Sequence, residues 1–317
     1  MTRPLRIGTR GSALALFQAR YVQAELGVPS ELVICSTTGD ENPTARLDLV
    51  GGVGLFTKEL ERALLADEID LAVHSLKDLP VQQPPGLVMA TMPERAPAAD
   101  LLLIRPDALD PTRQIPVREG ATLGTSSSRR RSLAAHYRPD LRAVNLRGNV
   151  PTRLKKCIAG ECDALVLAHA GLQRLALDLA PLVAFELNPA RWPCAPGQGA
   201  LGLELRASDA ARWPTLTRLE HPPTRACVEA ERHLLEVSGG GCHSAFGAWA
   251  SLHEGQASID VALADEVHGF RRASFTAPEL AQAVPKAADW LRAGAPPLET
   301  TSQAQEEWLC RPAPVSS

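Results

Sequence analysis

Short apolar runs alternate along this chain with longer segments of helical periodicity, and this alternation restricts the possible folds more than any other feature. The runs at 5–9 and 69–74 have the length and composition of strands, whereas 13–26 has a helical pattern that Ser12 can cap and Gly27 can end. Strands that alternate with helices are typical of α/β proteins. The sequence therefore predicts an α/β fold.

The chain is long enough for several domains, and its prolines indicate where they meet. It has 317 residues, with a cluster of prolines between positions 80 and 106 and a proline- and glycine-rich segment at 192–199. We predict that domain 1 comprises 1–97 and 198–219, domain 2 comprises 98–197, domain 3 comprises 220–311, and 312–317 is a disordered tail.

Positive charge is concentrated in the middle of the chain, although the formal net charge of the whole is -3. Nine lysines and arginines lie between Arg129 and Lys156. Such a local asymmetry favours an acidic ligand. Nucleic acid is not the expected ligand, because the basic segment lacks interleaved aromatic residues and these make up only 4% of the chain.

Four predicted strand-to-helix turns place an arginine beside a small polar residue. A helix N-terminus offers free N–H groups, and arginine adds a planar fork that binds a carboxylate through two hydrogen bonds. Such turns meet at the carboxyl ends of strands in open α/β sheets, so they can line one cleft. For any single turn, a surface arginine beside an ordinary cap is the alternative. The turns are Arg10-Gly11-Ser12, Ser127-Ser128-Arg129-Arg130, Arg147-Gly148-Asn149 with Arg153, and Gly171-Leu172-Gln173-Arg174.

Two further side chains have the setting of reactive groups. Asp78 lies just beyond a predicted strand and next to Lys77, where an ionised carboxylate can stabilise a cation or hold a ligand N–H. Cys242 follows three glycines, so backbone amides can approach its sulfur and favour the thiolate. A turn aspartate and a buried cysteine remain the alternatives. His74 is expected to be packed or hydrogen-bonded rather than catalytic.

The cysteines indicate the chemistry and the compartment to expect. All seven are scattered and none forms a C-x-x-C pair, so we predict no metal site and a reducing environment. No signal peptide precedes the first strand, and no apolar run approaches membrane-spanning length. A soluble cytoplasmic protein that binds neither membrane nor nucleic acid is expected.

A series of short motifs, spread from Leu5 to about Gly247, resembles that of the porphobilinogen deaminases, also called hydroxymethylbilane synthases. Several unrelated motifs in one order form a far stronger signal than any one alone. They are RGSALALFQ at 10–18, GLFTKELE at 54–61, AVHSLKDLP at 72–80, GTSSSRR at 124–130, LRGN at 146–149, GQGA at 197–200 and GGC at 240–242.

The resemblance implies an enzyme that joins four porphobilinogen molecules head to tail, releases ammonia each time and hydrolyses off linear hydroxymethylbilane. It implies a dipyrromethane cofactor bound to Cys242 by a thioether, and a monomer. It also implies three domains, the first two resembling the lobes of type II periplasmic binding proteins. The third would be a small α+β domain that carries the cofactor cysteine.

The resemblance further assigns roles to individual residues. Asp78 and Lys77 would be catalytic, with Asp78 stabilising positive charge on a pyrrole, and Phe56 with the loop 39–54 would form a lid. The cofactor would be held by Ser75, Lys77, Asp78, Thr125, Ser127, Arg129, Arg130, Arg153 and Cys242, and the substrate by Arg10, Ser12, Gln18, Arg147, Arg153, Arg174 and Gln198.

The lid departs from the family pattern. Leu49 and Val53 stand where the family often has lysines, and both changes remove positive charge. Two alternatives to an active deaminase therefore remain: a two-lobed protein that binds a small anion, and a family member that keeps its primer but elongates it poorly. A pure receptor has no need of a cysteine on a glycine run, so the enzyme is the leading hypothesis.

Overall fold

The computed structural model describes residues 3–35, 57–210, 214–240, 244–296 and 309–313. Residue contacts divide the chain into two compact units: the first contains 1–96 and 197–229, and the second contains 97–196 and 230–317. Helices and strands occur together in each unit, so the predicted α/β class is confirmed.

The first unit is built on a five-stranded sheet with the order β2-β1-β3-β10-β4. Strands β1, β2 and β3 are parallel, whereas β10 is antiparallel to both β3 and β4. The elements are β1 (Leu5–Thr9), α1 (Ala13–Leu26), β2 (Ser30–Ile34), α2 (Lys58–Leu65), β3 (Leu71–Ser75), β4 (Leu87–Thr91) and β10 (Leu201–Arg206).

Helices cover both faces of this sheet, which explains the near-continuous apolar composition of its central strand. Val22 of α1 packs on one face with Leu71 and Val73, and Leu60 of α2 packs on the other face with Ala72. A parallel strand buried on both faces is expected to read as an unbroken apolar run. Helix α1 has the predicted limits, because the Ala15 N–H donates to the Ser12 Oγ and Gly27 adopts a left-handed φ of 60°.

The second unit contains a six-stranded sheet with the order β14-β9-β5-β8-β6-β7 and a three-stranded antiparallel sheet β11-β12-β13. Strands β6, β7 and β8 are parallel, and β5 is antiparallel to β8 and β9. Helix α7 packs against β12 and β13. The elements are β5 (Asp100–Ile104), β6 (Thr122–Gly124), α3 (Ser128–Tyr137), β7 (Arg142–Val144), α4 (Val150–Ile158), β8 (Ala164–Ala168), α5 (His169–Arg174), β9 (Val183–Leu187), β11 (Phe246–His253), β12 (Gln256–Asp265), β13 (Gly269–Ala277), α7 (Leu280–Arg292) and β14 (Cys310–Pro312).

The chain crosses between the units at residues 96/97 and 196/197, close to the predicted boundaries at 97/98 and 197/198. The predicted third domain, 220–311, does not separate in this division. Helix α6 (Pro222–Val237) begins in the first unit, and the chain from Ala230 onward is assigned to the second. An independent third domain therefore stays a prediction.

The start of the predicted disordered tail, 312–317, is corrected by the structure. Pro312 pairs with Phe185 of β9, and the Ala313 N–H donates to the Ala184 carbonyl oxygen at 3.0 Å. Backbone pairing with a sheet edge orders these two residues, and a terminal tripeptide strand is too short to recognise from periodicity. Residues 314–317 lie outside the described ranges.

In the described ranges, no helix combines the length and the apolar character that crossing a membrane requires. Within the same part of the chain, no group of three or more histidine, cysteine, aspartate or glutamate side chains is placed to hold a metal ion.

Asp163 ties β8 to β6 in the second unit and gives a prediction about stability. The Thr122 N–H and Oγ1 both donate to Asp163 Oδ2 at 2.8 Å, and Arg118 Nη2 donates to Oδ1 at 2.7 Å. Burial acts to raise the pKa of Asp163, but the hydrogen bonds from Thr122 and Arg118 outweigh it and lower that pKa to about 2.

We expect Asp163→Asn to lower the free energy of unfolding at pH 7 by about 1–2 kcal/mol. A depressed carboxylate pKa stabilises the fold above the unfolded value near 3.8 and loses that effect as the pH falls through about 2. Urea melts at pH 7 and at pH 3 measure this difference, which should shrink at the lower pH. Asp289→Asn, at an exposed helix pair, is the control and should change little. A difference that does not depend on pH would contradict the assignment.

Candidate active site

Two polar turns of the first unit lie at one edge of its sheet. Arg10 and Ser12 follow the end of β1, and Ser75, Lys77 and Asp78 stand at or just after the end of β3. Since β1 and β3 are parallel, both sets of residues emerge at the same edge. This is the edge at which open α/β sheets bind ligands.

Two of these side chains, Ser12 and Ser75, form hydrogen bonds with residues of α1. Ser12 Oγ caps α1, at 3.3 Å from the Ala15 nitrogen. The buried Gln18 side chain reaches the end of β3, where its Nε2 lies 2.8 Å from Ser75 Oγ. These hydrogen bonds of Ser12, Gln18 and Ser75 order this edge of the sheet.

The turn after β3 is closely packed and presents Asp78 to solvent. Leu76–Asp78 forms a single 3-10 turn, the Leu76 N–H donates to the Ala200 carbonyl oxygen at 3.1 Å, and Asp78 itself is exposed. Gly197 packs against the turn with a left-handed φ of 74°, and a Cβ placed there would lie 3.1 Å from the Leu76 Cβ. The backbone of this segment has no room for a side chain at that position.

Gln198 is buried beside this turn, and its backbone is fixed from another part of the unit. Its carbonyl oxygen accepts a hydrogen bond from Arg95 Nε at 2.8 Å. Because β10 is antiparallel to β3, with Leu201 paired to Ser75, the Gln198 segment reaches the edge at which Asp78 lies. The first unit thus brings together seven of the predicted residues: Arg10, Ser12, Gln18, Ser75, Lys77, Asp78 and Gln198.

The second unit gathers a larger set of cations at the equivalent edge of its own sheet. Thr125 and Ser127 follow β6, Arg147 follows β7, and α5 with Arg174 follows β8. These three strands are parallel, so the turns meet at one edge. Arg153 lies in the first turn of α4, where its Nε donates to the Gly148 carbonyl oxygen at 2.6 Å.

Two arginines of this set, Arg129 and Arg130, are buried and bind an internal carboxylate. Arg130 forms a two-pronged contact with Asp100, with Nη2 to Oδ1 at 2.7 Å and Nε to Oδ2 at 3.1 Å. Arg129 Nη2 donates to Asp100 Oδ2 at 3.0 Å, and the Trp192 indole Nε1 donates to the same oxygen at 3.1 Å. One buried carboxylate therefore neutralises part of two buried positive charges.

Burial has a direct electrostatic effect at Arg129. Desolvation lowers the pKa of its guanidinium, and the Asp100 carboxylate acts in the opposite direction. Its Nη1 donates to the Pro193 carbonyl oxygen at 2.8 Å. A Cβ placed at Gly247 would lie 2.5 Å from that oxygen and 3.0 Å from Arg129 Cδ, so the first residues of β11 lie directly against this arginine.

Asp100 is the residue of this edge that the sequence analysis missed. It immediately precedes Leu101, Leu102, Leu103 and Ile104, and an acidic residue at the start of a fully apolar run is the signal that could have identified it. A buried carboxylate in such a run needs a cationic partner. The partners come from α3, which is distant in sequence, so only the folded chain identifies them.

Several predicted residues lie outside the described ranges. These are Cys242, the lid residue Phe56, and the loop 39–54 with Leu49 and Val53. His74 is described, and the expectation that it is hydrogen-bonded is confirmed by a 3.0 Å contact of its Nε2 with Glu204 Oε2.

Comparison with known families adds to this geometry. Residues 5–212 match the family model described as "Porphobilinogen deaminase, dipyromethane cofactor binding domain". The chain belongs to the porphobilinogen deaminase family. The match covers both sheet edges and every predicted site residue other than Cys242, which follows it in the sequence.

Individual relatives agree with the family match. A porphobilinogen deaminase of Caulobacter vibrioides is 44% identical over 287 residues, which are 85% of this chain and 87% of that protein. One from Nitratidesulfovibrio vulgaris is 47% identical over 246 residues, which are 76% and 75% of the two chains. Among solved structures, the periplasmic VFT2 domain of BvgS from Bordetella pertussis is 14% identical, with a TM-score of 0.40, over 68% of this chain and 86% of that one.

The donor groups of the two edges fit dipyrromethane. Each of its two pyrroles carries an acetate and a propionate, so it needs cations and N–H donors for the carboxylates and an acceptor for the pyrrole N–H groups. In the second unit, the half-buried Arg147, Arg153 and Arg174 are groups of the first kind, and in the first unit the exposed Asp78 carboxylate is a group of the second kind. The cofactor of the family is therefore chemically compatible with both sets of residues.

We expect Asp100→Asn to lower the free energy of unfolding by about 3 kcal/mol, because it leaves two buried guanidinium groups facing a neutral amide. Thermal or urea melts of protein purified without substrate measure the change. Asp289→Asn, at an exposed ion pair, is the control and should stay close to wild type. Unchanged stability of Asp100→Asn would show that Asp100 does not carry the charge balance of this cluster.

Proposed function

We propose that Asp78 is the catalytic carboxylate of this chain and that the two arginine-bearing edges hold the carboxylates of its ligands. The chain is a transferase of tetrapyrrole biosynthesis that joins four porphobilinogen molecules head to tail into linear hydroxymethylbilane and releases ammonia. Dipyrromethane is its cofactor. The observation that carries the proposal is the match over 5–212 together with the cations that the folded chain gathers at the sheet edges.

Asp78 is suited to the charge that develops during this reaction. Departure of ammonia from porphobilinogen leaves positive charge on the pyrrole, and a fixed carboxylate lowers the energy of that state. The same carboxylate accepts hydrogen bonds from pyrrole N–H groups, which orients the ring. Because the turn that carries Asp78 is packed against Gly197 and Ala200, the group needs little reorganisation during the reaction.

The arginines bind the negatively charged carboxylates of the growing pyrrole chain. Every added pyrrole brings two carboxylates, and a planar guanidinium binds each of them through two hydrogen bonds. We assign Arg10, Arg147, Arg153 and Arg174 to this role, with Thr125 and Ser127 as neutral donors. Arg129 and Arg130 place two positive charges beside the single negative charge of Asp100, and we propose that the excess charge adds to the positive potential of the edge and helps to hold the cofactor.

Cys242 is the proposed attachment point of dipyrromethane. When bound, the cofactor supplies the terminal pyrrole carbon on which the product is built. In the sequence Cys242 follows three glycines, and backbone N–H groups that approach a sulfur favour its nucleophilic thiolate. Lys77 is proposed to act beside Asp78 as a second charged group of the site.

We also propose that the protein acts as a cytoplasmic monomer, as the scattered cysteines and the family resemblance led us to expect. Leu49 and Val53 stand where the family often has lysines, and they support one further candidate function, a deaminase that elongates its primer slowly. Family membership favours an enzyme over a simple anion receptor.

We expect Asp78→Ala to lower turnover about 100-fold or more while leaving the fold intact, because the charge it stabilises exists only during the reaction. Formation of hydroxymethylbilane per primer-bearing molecule, with a melting curve alongside, measures this. The matched control is Asp107→Ala, since Asp107 is also an exposed aspartate in a 3-10 turn. Normal turnover of Asp78→Ala would rule out the proposed role.

We expect the intact mass of protein from cells that make porphobilinogen to exceed the sequence mass by one dipyrromethane, and Cys242→Ser to lose that increment. Cys35→Ser is the control, because burial raises the pKa of the Cys35 thiol and disfavours its thiolate. An adduct that persists in Cys242→Ser would place the attachment elsewhere.

A further inference from the structure

Glu204 is a buried carboxylate of β10 whose two oxygens contact both ends of one loop. Its Oε2 lies 3.0 Å from the Nε2 of His74, at the end of β3, and its Oε1 accepts a hydrogen bond from Gln83 Nε2 at 3.0 Å. The exposed fraction of the Glu204 side chain is 0%. A single carboxylate therefore holds both ends of the loop 74–83, and Asp78 lies near the middle of that loop.

The first half of this loop is also fixed by packing. Leu76 is buried with Leu79, Ala200 and other apolar side chains, and a Cβ placed at Gly202 would lie 2.6 Å from Leu76 Cδ2. The Leu76 N–H donates to Ala200 and the Leu79 N–H donates to the Leu76 carbonyl oxygen at 3.2 Å. Gln83 brings the second half of the loop back to the same strand, β10.

A buried ionic group at this place is not needed for stability alone. The ladder between β3 and β10 is formed by backbone hydrogen bonds, and apolar side chains of similar volume often replace buried ionic pairs without loss of stability. What apolar side chains cannot do is bind two specific donors at fixed distances. A carboxylate that is unpartnered in the interior is costly, so Glu204 holds both His74 and Gln83 firmly.

We propose that Glu204 is a positioning residue, which closes the loop 74–83 through His74 and Gln83 and so fixes the place of the Asp78 carboxylate. This inference rests on the catalytic role proposed for Asp78. Small displacements of a catalytic group lower rates steeply, by about 100-fold for 1 Å in well-ordered sites. Glu204 does not touch substrate, and its effect reaches the reaction only through the loop.

Two variants open the loop and two serve as references. Gln83→Leu removes the distal contact and leaves β3 untouched, and the double variant His74→Leu/Glu204→Leu replaces the buried pair by apolar groups. Glu204→Gln keeps an acceptor for Gln83 and gains a donor for the His74 imidazole. Gln23→Leu is the matched control, because Gln23 is a half-buried glutamine of the same unit whose Nε2 donates to the Ser30 carbonyl oxygen at 2.9 Å.

Two readouts separate positioning from general stability. Steady-state kinetics per primer-bearing molecule should show kcat reduced about 10-fold in both loop-opening variants, with KM changed much less. Glu204→Gln should recover most of the turnover, and Gln23→Leu should match wild type. Amide hydrogen exchange of a peptide covering 75–83 should become faster in the loop-opening variants and stay unchanged in Gln23→Leu.

Two results would overturn the inference. One is wild-type kcat with unchanged exchange in Gln83→Leu. The other is a loss of turnover that follows melting temperature alone across all variants, Gln23→Leu included. If the wild-type chain carried no primer, the proposed function would fail separately, and the exchange measurement would still decide whether Glu204 orders the loop.

Discussion

The central strands of the five-stranded and six-stranded sheets are buried on both faces, so polar groups of these strands can be presented only at the strand ends. Strand β3 is apolar from Leu71 to Val73, and β5 and β8 are buried throughout. Strands that are covered on both faces have no solvated face. Polar groups therefore collect where the strands stop, at Asp78 in the first unit and at Thr125, Arg147 and Arg174 in the second.

Two buried carboxylates form hydrogen bonds with residues at these edges and hold them in place. Asp100 binds Arg129, Arg130 and the Trp192 indole, and Glu204 binds His74 and Gln83. Both acids sit on a strand of the sheet whose edge they support, and both are fully buried. A buried carboxylate fixes its donors because the energetic cost of losing them is high. Each unit therefore has a buried carboxylate that holds polar residues in place. In the second unit Asp100 holds two arginines, and in the first unit Glu204 holds both ends of the loop that carries Asp78.

Much of the local structure was predictable from particular residues. Ser12 and Gly27 mark the limits of α1, and the polar turns after β1, β3, β6 and β7 stand where the motifs indicated. The prediction was less accurate where tertiary contacts decide. Helix α6 begins at Pro222, since proline is well suited to the first turn, and the Thr224 Oγ1, a group that often caps helices, instead accepts a hydrogen bond from the Arg95 N–H. Pro312 and Ala313 pair with strand β9, and no local sequence pattern predicts this pairing.

The sequence by itself determined the α/β class, the order of the turns, the family and the residue types of the site, because caps, apolar periodicity and motifs are local properties of the chain. Only the tertiary structure decided which charged side chains pair with one another inside the protein. Arg129 and Arg130 read in the sequence as two more anion-binding arginines, yet their guanidinium groups lie against Asp100, which is 29 residues from Arg129. The physical reason is that the partner of a buried charge is set by distance in space, and the cost of burial makes that pairing compulsory.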